Sequence, residues 1–301
     1  YFGVGTALAA ANQLGLSSIG FDLSPFSVAL AKLRFAKAPK QSTLETALKS
    51  QRTTPSLSAF SPETLSLFSR NDLSLIASLL PTNDTEEQRY WLRSILSSTQ
   101  AQIDHKAYAL LCAIIAANKS AKVATGSNPV WIRKLLEGEP SKDTKLEFLT
   151  KALGEMLGAL SNRSDAPPPQ VQLADARSMP IETNSIDIAI FSPPYLNRLD
   201  YFVTNYPANM LLCDLSGIDA DKTRKKMVGT TKIVRKDTLP YPIGEYCRSI
   251  LNDIWNHPSK ASKSYYYWNY ADYIRSTYEV SSELRRVIKP GGRGAIVIQD
   301  S

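Results

Sequence analysis

A short apolar run that ends in two prolines constrains the fold of this chain more than any other stretch. Residues 186–191 (IDIAIF) have the length and the β-branched content of a buried strand. Pro193 and Pro194 follow after one serine and end the strand, because proline cannot donate to a sheet ladder and has a fixed φ. The result is a rigid Ser-Pro-Pro-Tyr tip, Ser192–Tyr195. Such a tip suits an active site at the carboxyl edge of a parallel sheet; an ordinary strand-to-loop exit is the alternative.

The first residues place two glycines at the start of a predicted helix. Gly3 and Gly5 precede the helical run Ala7–Leu14, and Thr6 lies at its start. Glycines there make a tight turn and let the backbone approach a ligand closely. Because no strand precedes the glycines, we expect this sequence to begin after the first strand of its sheet. It ends at residues 299–301, directly after a predicted strand, and we expect a truncation there too.

A second predicted strand covers residues 18–22 and ends in Asp22. A carboxylate in this place is where a Rossmann-like sheet holds the two hydroxyls of a ribose. Ser24 is the predicted N-cap of a following helix, which runs from Phe26 to about Lys37. A plain βαβ crossover with a chance aspartate is the alternative.

Residues 39–169 interrupt this alternation, and we predict an inserted helical subdomain there. Residues 41–62 are rich in serine and threonine, as is typical of a connection. Apolar residues then recur at helical spacing in four segments: Pro62–Leu80, Thr85–Leu96, Ala107–Ala117 and Lys142–Leu160. Three prolines, 167–169, close the insertion as a stiff linker.

The strand pattern resumes with Val171–Arg177, which contains Asp175. Its carboxylate is predicted at the same sheet edge as Asp22 and Ser192, where an acceptor suits the exocyclic amino group of an adenine; a loop aspartate is the alternative. Farther along, the spacing predicts a helix over Tyr267–Val287. A Lys-Pro-Gly-Gly turn at 289–292 ends that helix, and residues 294–298 predict another buried strand.

Composition excludes several classes of protein. The chain is 43% hydrophobic and 21% charged, as in soluble globular proteins, and no apolar run approaches the roughly 18 residues that cross a bilayer. Cys112, Cys213 and Cys247 are few, odd in number and far apart. They argue against a disulfide framework and favour a reducing compartment, the cytoplasm. The two histidines are isolated from them, so no metal site is predicted.

The chain resembles the amino-group DNA methyltransferases that use S-adenosyl-L-methionine. Four features carry the resemblance, in chain order: the Phe2–Thr6 turn, Asp22, Asp175 and the Ser-Pro-Pro-Tyr tip. The resemblance covers residues 1–38 and 171–208 well and the carboxyl end loosely. It implies an α/β fold, a Rossmann-like class I methyltransferase sheet with helices on both faces. The catalytic domain would comprise residues 1–38 and 170–301, interrupted by the all-helical insertion at 39–169.

The resemblance also implies the residues of the site. The catalytic residues would be Ser192, Pro193, Pro194 and Tyr195. The S-adenosyl-L-methionine site would comprise Phe2, Gly3, Gly5, Thr6, Asp22, Leu23, Asp175, Ala176 and Ser192. Serine in the first position of the tip is typical of enzymes that methylate cytosine N4, and aspartate or asparagine is typical of adenine N6 enzymes. Cytosine N4 in double-stranded DNA is therefore the expected target, with the base flipped out of the duplex.

A net charge of +7 is compatible with a polyanionic partner. We interpret residues 214–263 as a DNA-facing target-recognition region, and residues 224–236 within it as a loop that contacts phosphates; a solvated surface loop is the alternative for 224–236. The predicted nucleic-acid-binding residues, two of them directly after the tip, are Arg198, Tyr201, Arg224, Lys225, Lys226, Lys232 and Arg235.

Other functions fit parts of the pattern. Adenine N6 methylation of DNA shares the pocket chemistry, and enzymes that methylate a guanine amino group in transfer RNA carry a similar tip, usually after aspartate. An inactive nucleic-acid-binding module is the alternative outside enzymes. A nicotinamide-dependent oxidoreductase would use Asp22 but leaves the tip unexplained. C5-cytosine chemistry needs a cysteine nucleophile, and no cysteine here follows a proline. A restriction endonuclease partner is not readable from the sequence.

Overall fold

A computed structural model of the chain describes residues 3, 5–40, 42–43, 46, 55–121, 167–196, 199–233, 235 and 243–298. In chain order they form α1 (Thr6–Gln13), β1 (Ile19–Asp22), α2 (Pro25–Phe35), α3 (Pro62–Leu67), α4 (Arg70–Ser78), α5 (Thr85–Ser97), α6 (His105–Ser120), β2 (Gln170–Leu173), β3 (Ile186–Phe191), α7 (Tyr201–Thr204), α8 (Tyr206–Ser216), α9 (Ala220–Lys226), α10 (Glu245–Asn256), a π-helix (Ser262–Tyr266), α11 (Tyr267–Val287) and β4 (Ile288–Ile296).

Packing divides the chain into two compact units, a first unit of residues 2–173 and 205–220 and a second unit of residues 174–204 and 221–301. These boundaries differ from the predicted ones. The helices between residues 62 and 120 share the first unit with β1 and α2 instead of standing apart. They do so because most of α6 is buried and the helix packs on both α2 and α8.

The first unit contains a two-stranded parallel sheet. Strands β1 and β2 pair in a register that runs from Ile19 opposite Gln170 to Asp22 opposite Leu173. Helix α2 begins where predicted: Ser24 Oγ accepts a hydrogen bond of 3.2 Å from the Ser27 amide and caps the helix. The sheet and its helices agree with the predicted α/β class.

The helices predicted at 85–96 and 107–117 are confirmed as α5 and α6. The segment predicted as one helix at 62–80 is two, because Phe68 is extended and Ser69 caps a new helix through the Asp72 amide. The segment predicted at 142–160 lies outside the described residues.

The second unit also contains a two-stranded parallel sheet. Strands β3 and β4 pair from Ile186 opposite Ile288, and the register then shifts so that Ile188 lies opposite Arg293. The predicted turn at 289–292 therefore lies inside β4 as an irregularity, where Gly291 has φ +80°. Helix α11 covers the predicted range, and a π-helix precedes it.

One prediction about these strands is wrong. Residues 186–191 and 294–298 do form or border strands, but their side chains are not buried: Ile188 is 56% exposed, Ile190 58% and Ile298 74%. Within the described part of the chain each strand has a single neighbour, so little covers these side chains. None of the described helices is long and apolar enough to span a membrane.

Candidate active site

In the first unit, the glycine turn and the end of β1 meet. Gly3 and Gly5 have φ of +55° and +77°, a conformation that favours glycine, and Gly5 is the N-cap of α1. A Cβ added at Gly5 would lie 3.2 Å from the Phe35 ring, whereas one added at Gly3 would meet none of the described atoms within 4 Å. No described atom therefore fills the space that a side chain at Gly3 would take.

The Asp22 carboxylate follows β1 and faces this turn. Its two oxygens accept from the Ser24 amide at 2.9 Å and the Gly3 amide at 3.2 Å. Burial raises the pKa of Asp22 above its ordinary value of 3.8, and the amide hydrogen bonds from Ser24, Gly3 and Leu23 oppose the rise. The predicted neighbours Leu23 and Thr6 lie beside Asp22 and at the first turn of α1.

A wholly buried amide supports the loop after Asp22. Asn209 Oδ1 on α8 accepts from the Ser24 hydroxyl at 3.0 Å and from the Phe26 amide at 3.2 Å. These bonds hold the start of α2, and with it the loop that supplies the Ser24 amide to Asp22. No sequence motif marked Asn209, because its partners are 183 and 185 positions away.

In the second unit, the Ser-Pro-Pro-Tyr tip leaves β3 beside the end of β4. The exposed Ser192 Oγ donates to the Val297 carbonyl at 3.0 Å and lies 3.0 Å from the Tyr195 hydroxyl. Because a carbonyl can only accept, the Ser192 hydrogen is committed to Val297, and the Tyr195 hydroxyl donates to Ser192 Oγ. The remaining lone pair of Ser192 Oγ is an acceptor held in place.

Two contacts hold the rest of the tip. The Tyr273 hydroxyl on α11 donates to the Pro194 carbonyl at 2.9 Å. Gly229, with φ +76°, lies beside the tip: a Cβ there would be in ordinary van der Waals contact, 3.5 Å from Pro194 Cβ and 3.6 Å from the Tyr195 carbonyl oxygen. Among the described residues no donor reaches the Pro193 carbonyl, so the tip keeps this second acceptor.

Two tyrosines outside the tip, Tyr201 and Tyr273, contact its backbone. Burial raises the pKa of Tyr201, and a hydrogen bond from the Tyr195 backbone partly offsets this rise. Burial also raises the pKa of Tyr273. Both phenols therefore stay protonated near neutral pH, and the Tyr273 hydroxyl is the neutral donor to the Pro194 carbonyl. Tyr201 was predicted to contact nucleic acid; the structure places it against the backbone of the tip.

A buried ion pair joins Asp200, which follows the tip in sequence, to Arg224. Asp200 is fully buried, and its carboxylate accepts from Arg224 Nε at 2.8 Å, from the Thr231 hydroxyl at 2.9 Å and from the Thr231 amide at 3.2 Å. Arg224 Nη2 also donates to the Thr231 hydroxyl at 2.9 Å. This network corrects the prediction of a phosphate contact at Arg224, since a buried guanidinium paired with a carboxylate cannot reach a nucleic-acid backbone.

Asp175, predicted to meet an adenine, is bound by a neighbouring arginine. Arg177 Nε and Nη2 donate to its two oxygens at 3.0 and 2.7 Å, and the Arg177 amide donates at 3.0 Å. Arg177 Nη2 further donates to the Lys226 carbonyl at 2.7 Å. Asp175 and the adjacent Ala176 thus form a braced loop after β2, and only the remaining lone pairs of the carboxylate are available to a ligand.

The other predicted nucleic-acid-binding residues lie at the surface. Lys225 and Lys232 both pair with Asp221, and these hydrogen bonds lower the pKa of that carboxyl to about 2. Their pairing cancels part of the positive charge predicted here. Lys226 and Arg235 are exposed.

Phe2 and Arg198 lie outside the described residues, as do both neighbours of Arg235. Sequence reasoning missed Tyr273, Val297 and Asn209. A run of tyrosines at 265–273 is visible in the sequence, but nothing there indicates which hydroxyl reaches the tip.

Within the described part of the chain, no group of three or more His, Cys, Asp or Glu side chains could hold a metal ion. The three cysteines are free thiols, and burial raises the pKa of Cys213 to about 12. Comparison of the chain with models of protein families, with curated protein sequences and with solved structures found no match.

Proposed function

We propose that this protein is an S-adenosyl-L-methionine-dependent methyltransferase that modifies the exocyclic amino group of a base in DNA, with cytosine N4 as the target. One observation carries the proposal: the Ser192 hydroxyl donates to the Val297 carbonyl and keeps a lone pair as an acceptor at a rigid strand tip. The two parallel strand pairs with their helices support a Rossmann-like class I core as part of the same proposal.

An amino group on a base is a poor nucleophile, because its lone pair is conjugated with the ring. Ser192 Oγ accepts one amino hydrogen and the Pro193 carbonyl accepts the other, which draws the nitrogen toward tetrahedral geometry and frees the lone pair. The prolines and the Tyr273 bond to the Pro194 carbonyl keep these acceptors in place. The tip thereby contributes positioning and electrostatics without covalent catalysis.

The first unit has residues that fit the cofactor. When bound, S-adenosyl-L-methionine supplies a methyl group carried on a sulfonium. The Asp22 carboxylate, held by the Ser24 and Gly3 amides, accepts from the ribose hydroxyls. Gly3 and Gly5 let the backbone approach the ligand, and α1 begins immediately after them.

The test is to incubate the protein with labelled S-adenosyl-L-methionine and either DNA or RNA, digest the nucleic acid and identify the labelled nucleoside. N4-methylcytosine from DNA is the expected product. N6-methyladenine would correct the base, and a labelled guanine from RNA would correct the substrate. Binding of the cofactor with no labelled nucleoside would favour a binding module, and failure to bind the cofactor would overturn the proposal.

A further inference from the structure

A cluster of aromatic rings lies on the second unit where α10, the π-helix and α11 meet. We call it the aromatic surface: Trp255, Tyr265, Tyr266, Tyr267 and Trp268. The Trp255 and Tyr267 rings meet edge to face at 4.9 Å between centroids, and Tyr267 and Trp268 at 5.2 Å. Tyr265 and Tyr266 meet at 5.3 Å within the π-helix. Single π-turns of this kind occur often at functional sites.

Two exposed cations lie over these rings. Lys263 Nζ is 5.4 Å from the Trp255 ring centroid, and the Arg235 guanidinium is 5.7 Å from that of Trp268. Arg235 Nη2 donates to the Ser264 carbonyl at 3.0 Å, which ties this cation to the π-helix. Trp255 is 41% exposed, so part of its ring remains accessible to a partner.

The charge of this segment has one sign. From Trp255 to Trp268 the sequence has Lys260 and Lys263 and no aspartate or glutamate. Lys225 and Lys232, by contrast, share a carboxylate. A surface that combines accessible rings with cations is complementary to a ligand with flat π-faces and negative charges, which describes a nucleic-acid strand.

We propose that the aromatic surface binds unpaired nucleotides of a nucleic-acid strand, with Trp255 stacking on a base and Lys263 and Arg235 contacting phosphates. Stacking requires a base outside a duplex, because the faces of paired bases are covered by their neighbours. The inference rests on the proposed function only for the identity of the nucleic acid. It places the main nucleic-acid contact at the rings of residues 255–268 instead of the predicted loop at 224–236.

The experiment measures fluorescence anisotropy of a labelled single-stranded oligodeoxynucleotide with the full chain and no cofactor. Trp255→Ala is expected to weaken binding about ten-fold or more, the usual effect of losing one stacking ring. Lys263→Gln is expected to lower the slope of log affinity against log salt by about 0.7, the value for one phosphate contact on a single strand. Trp91→Ala, in the first unit, is the matched control and is expected to bind as the unchanged chain does.

Lys263 is exposed, so its variant tests the surface even if Trp255→Ala fails to fold. An unchanged affinity and salt slope in Lys263→Gln, or equal affinity for single strand and duplex, would overturn the proposal. Cofactor binding is measured separately by calorimetry on the same protein. Oligonucleotide binding without cofactor binding would contradict the proposed function and support this inference. Cofactor binding without oligonucleotide binding would contradict this inference and leave the proposed function supported.

Discussion

The Ser192 hydroxyl donates to the Val297 carbonyl at 3.0 Å, in the place where a parallel ladder would use the backbone N–H of residue 193. Phe191 lies opposite Ile296, and the Val297 amide donates to the Phe191 carbonyl, so the next donor in the ladder belongs to Pro193. Proline has no N–H. The serine side chain therefore completes the sheet edge and, through the same bond, orients its own lone pairs.

Ser192→Ala is expected to lower methyl transfer about 10²–10³-fold, because an oriented acceptor is lost. It also leaves the Val297 carbonyl without this donor, so the free energy of unfolding falls by about 1 kcal/mol. Ser192→Asp is not expected to restore transfer, since an ionised carboxylate cannot donate to a carbonyl. Labelled-methyl incorporation measures transfer, with exposed Ser281→Ala as the control. Full turnover in Ser192→Ala would contradict the assignment.

Tyr273→Phe removes the hydroxyl that donates to the Pro194 carbonyl and keeps the aromatic ring. We expect turnover to fall about ten-fold, a loss of about 1.4 kcal/mol in the transition state, while cofactor affinity is unchanged. Steady-state kinetics and calorimetry separate the two effects. Tyr278→Phe, an exposed tyrosine on the same helix, is the control. Equal turnover in both variants would show that the tip does not need this bond.

Arg224→Met leaves the buried Asp200 carboxylate without its ion-pair partner. Breaking one side of a buried pair costs about 3–5 kcal/mol, so the urea midpoint of unfolding should drop sharply. Lys226→Met, on the same helix and exposed, should change stability by less than about 0.5 kcal/mol. Equal stability in the two variants would mean that solvent reaches Asp200 and would contradict a buried ion pair.

Asp22→Asn is expected to weaken S-adenosyl-L-methionine binding about ten-fold or more, because a charged acceptor for the ribose hydroxyls is lost. The free energy of unfolding should change by no more than about 1 kcal/mol. Burial raises the pKa of this carboxyl, which means that its negative charge destabilises the folded state, so removing the charge costs little. Calorimetry and urea unfolding on one sample measure both quantities. Unchanged cofactor affinity would remove Asp22 from the site.

Lys32 links three segments of the first unit: its buried ammonium donates to the carbonyls of Ser98, Gln100 and Val171 at 2.8, 2.7 and 3.1 Å. Lys32→Ala should therefore lower the free energy of unfolding by about 2 kcal/mol or more at neutral pH. Lys106→Ala, exposed on α6, is the control.

The same lysine predicts a pH dependence of stability. Burial lowers the pKa of Lys32 from its ordinary 10.5 to about 8. Above about pH 8 the folded protein loses this proton, while the unfolded chain keeps it up to about pH 10.5, so the unfolded state binds more protons in this window. Stability should accordingly rise with pH there, relative to Lys32→Ala. Urea unfolding at about pH 7 and about pH 9.5 tests it, and a fall relative to the variant would contradict the sign.

From the sequence alone, the local features were predictable. Short-range rules of propensity, capping and proline geometry predict four features that the structure confirms: the strand at 186–191, the N-cap at Ser24, the glycines before α1 and the full length of α11. These features depend on residues within a few positions of one another, so the sequence contains all the information they need.

Only the tertiary structure decided what the side chains near the site do. Arg224 lies in a basic stretch of the sequence, which predicted a phosphate contact. In the structure it is buried and forms an ion pair with Asp200, 24 positions earlier. Tyr273 and Val297 reach the tip from 79 and 105 positions away, and no local pattern marks them. Such contacts depend on which distant segments the folded core brings together. Local sequence patterns contain no information about this. The sequence determined that a serine stands at the tip, and the fold gave its hydroxyl the Val297 carbonyl as a partner.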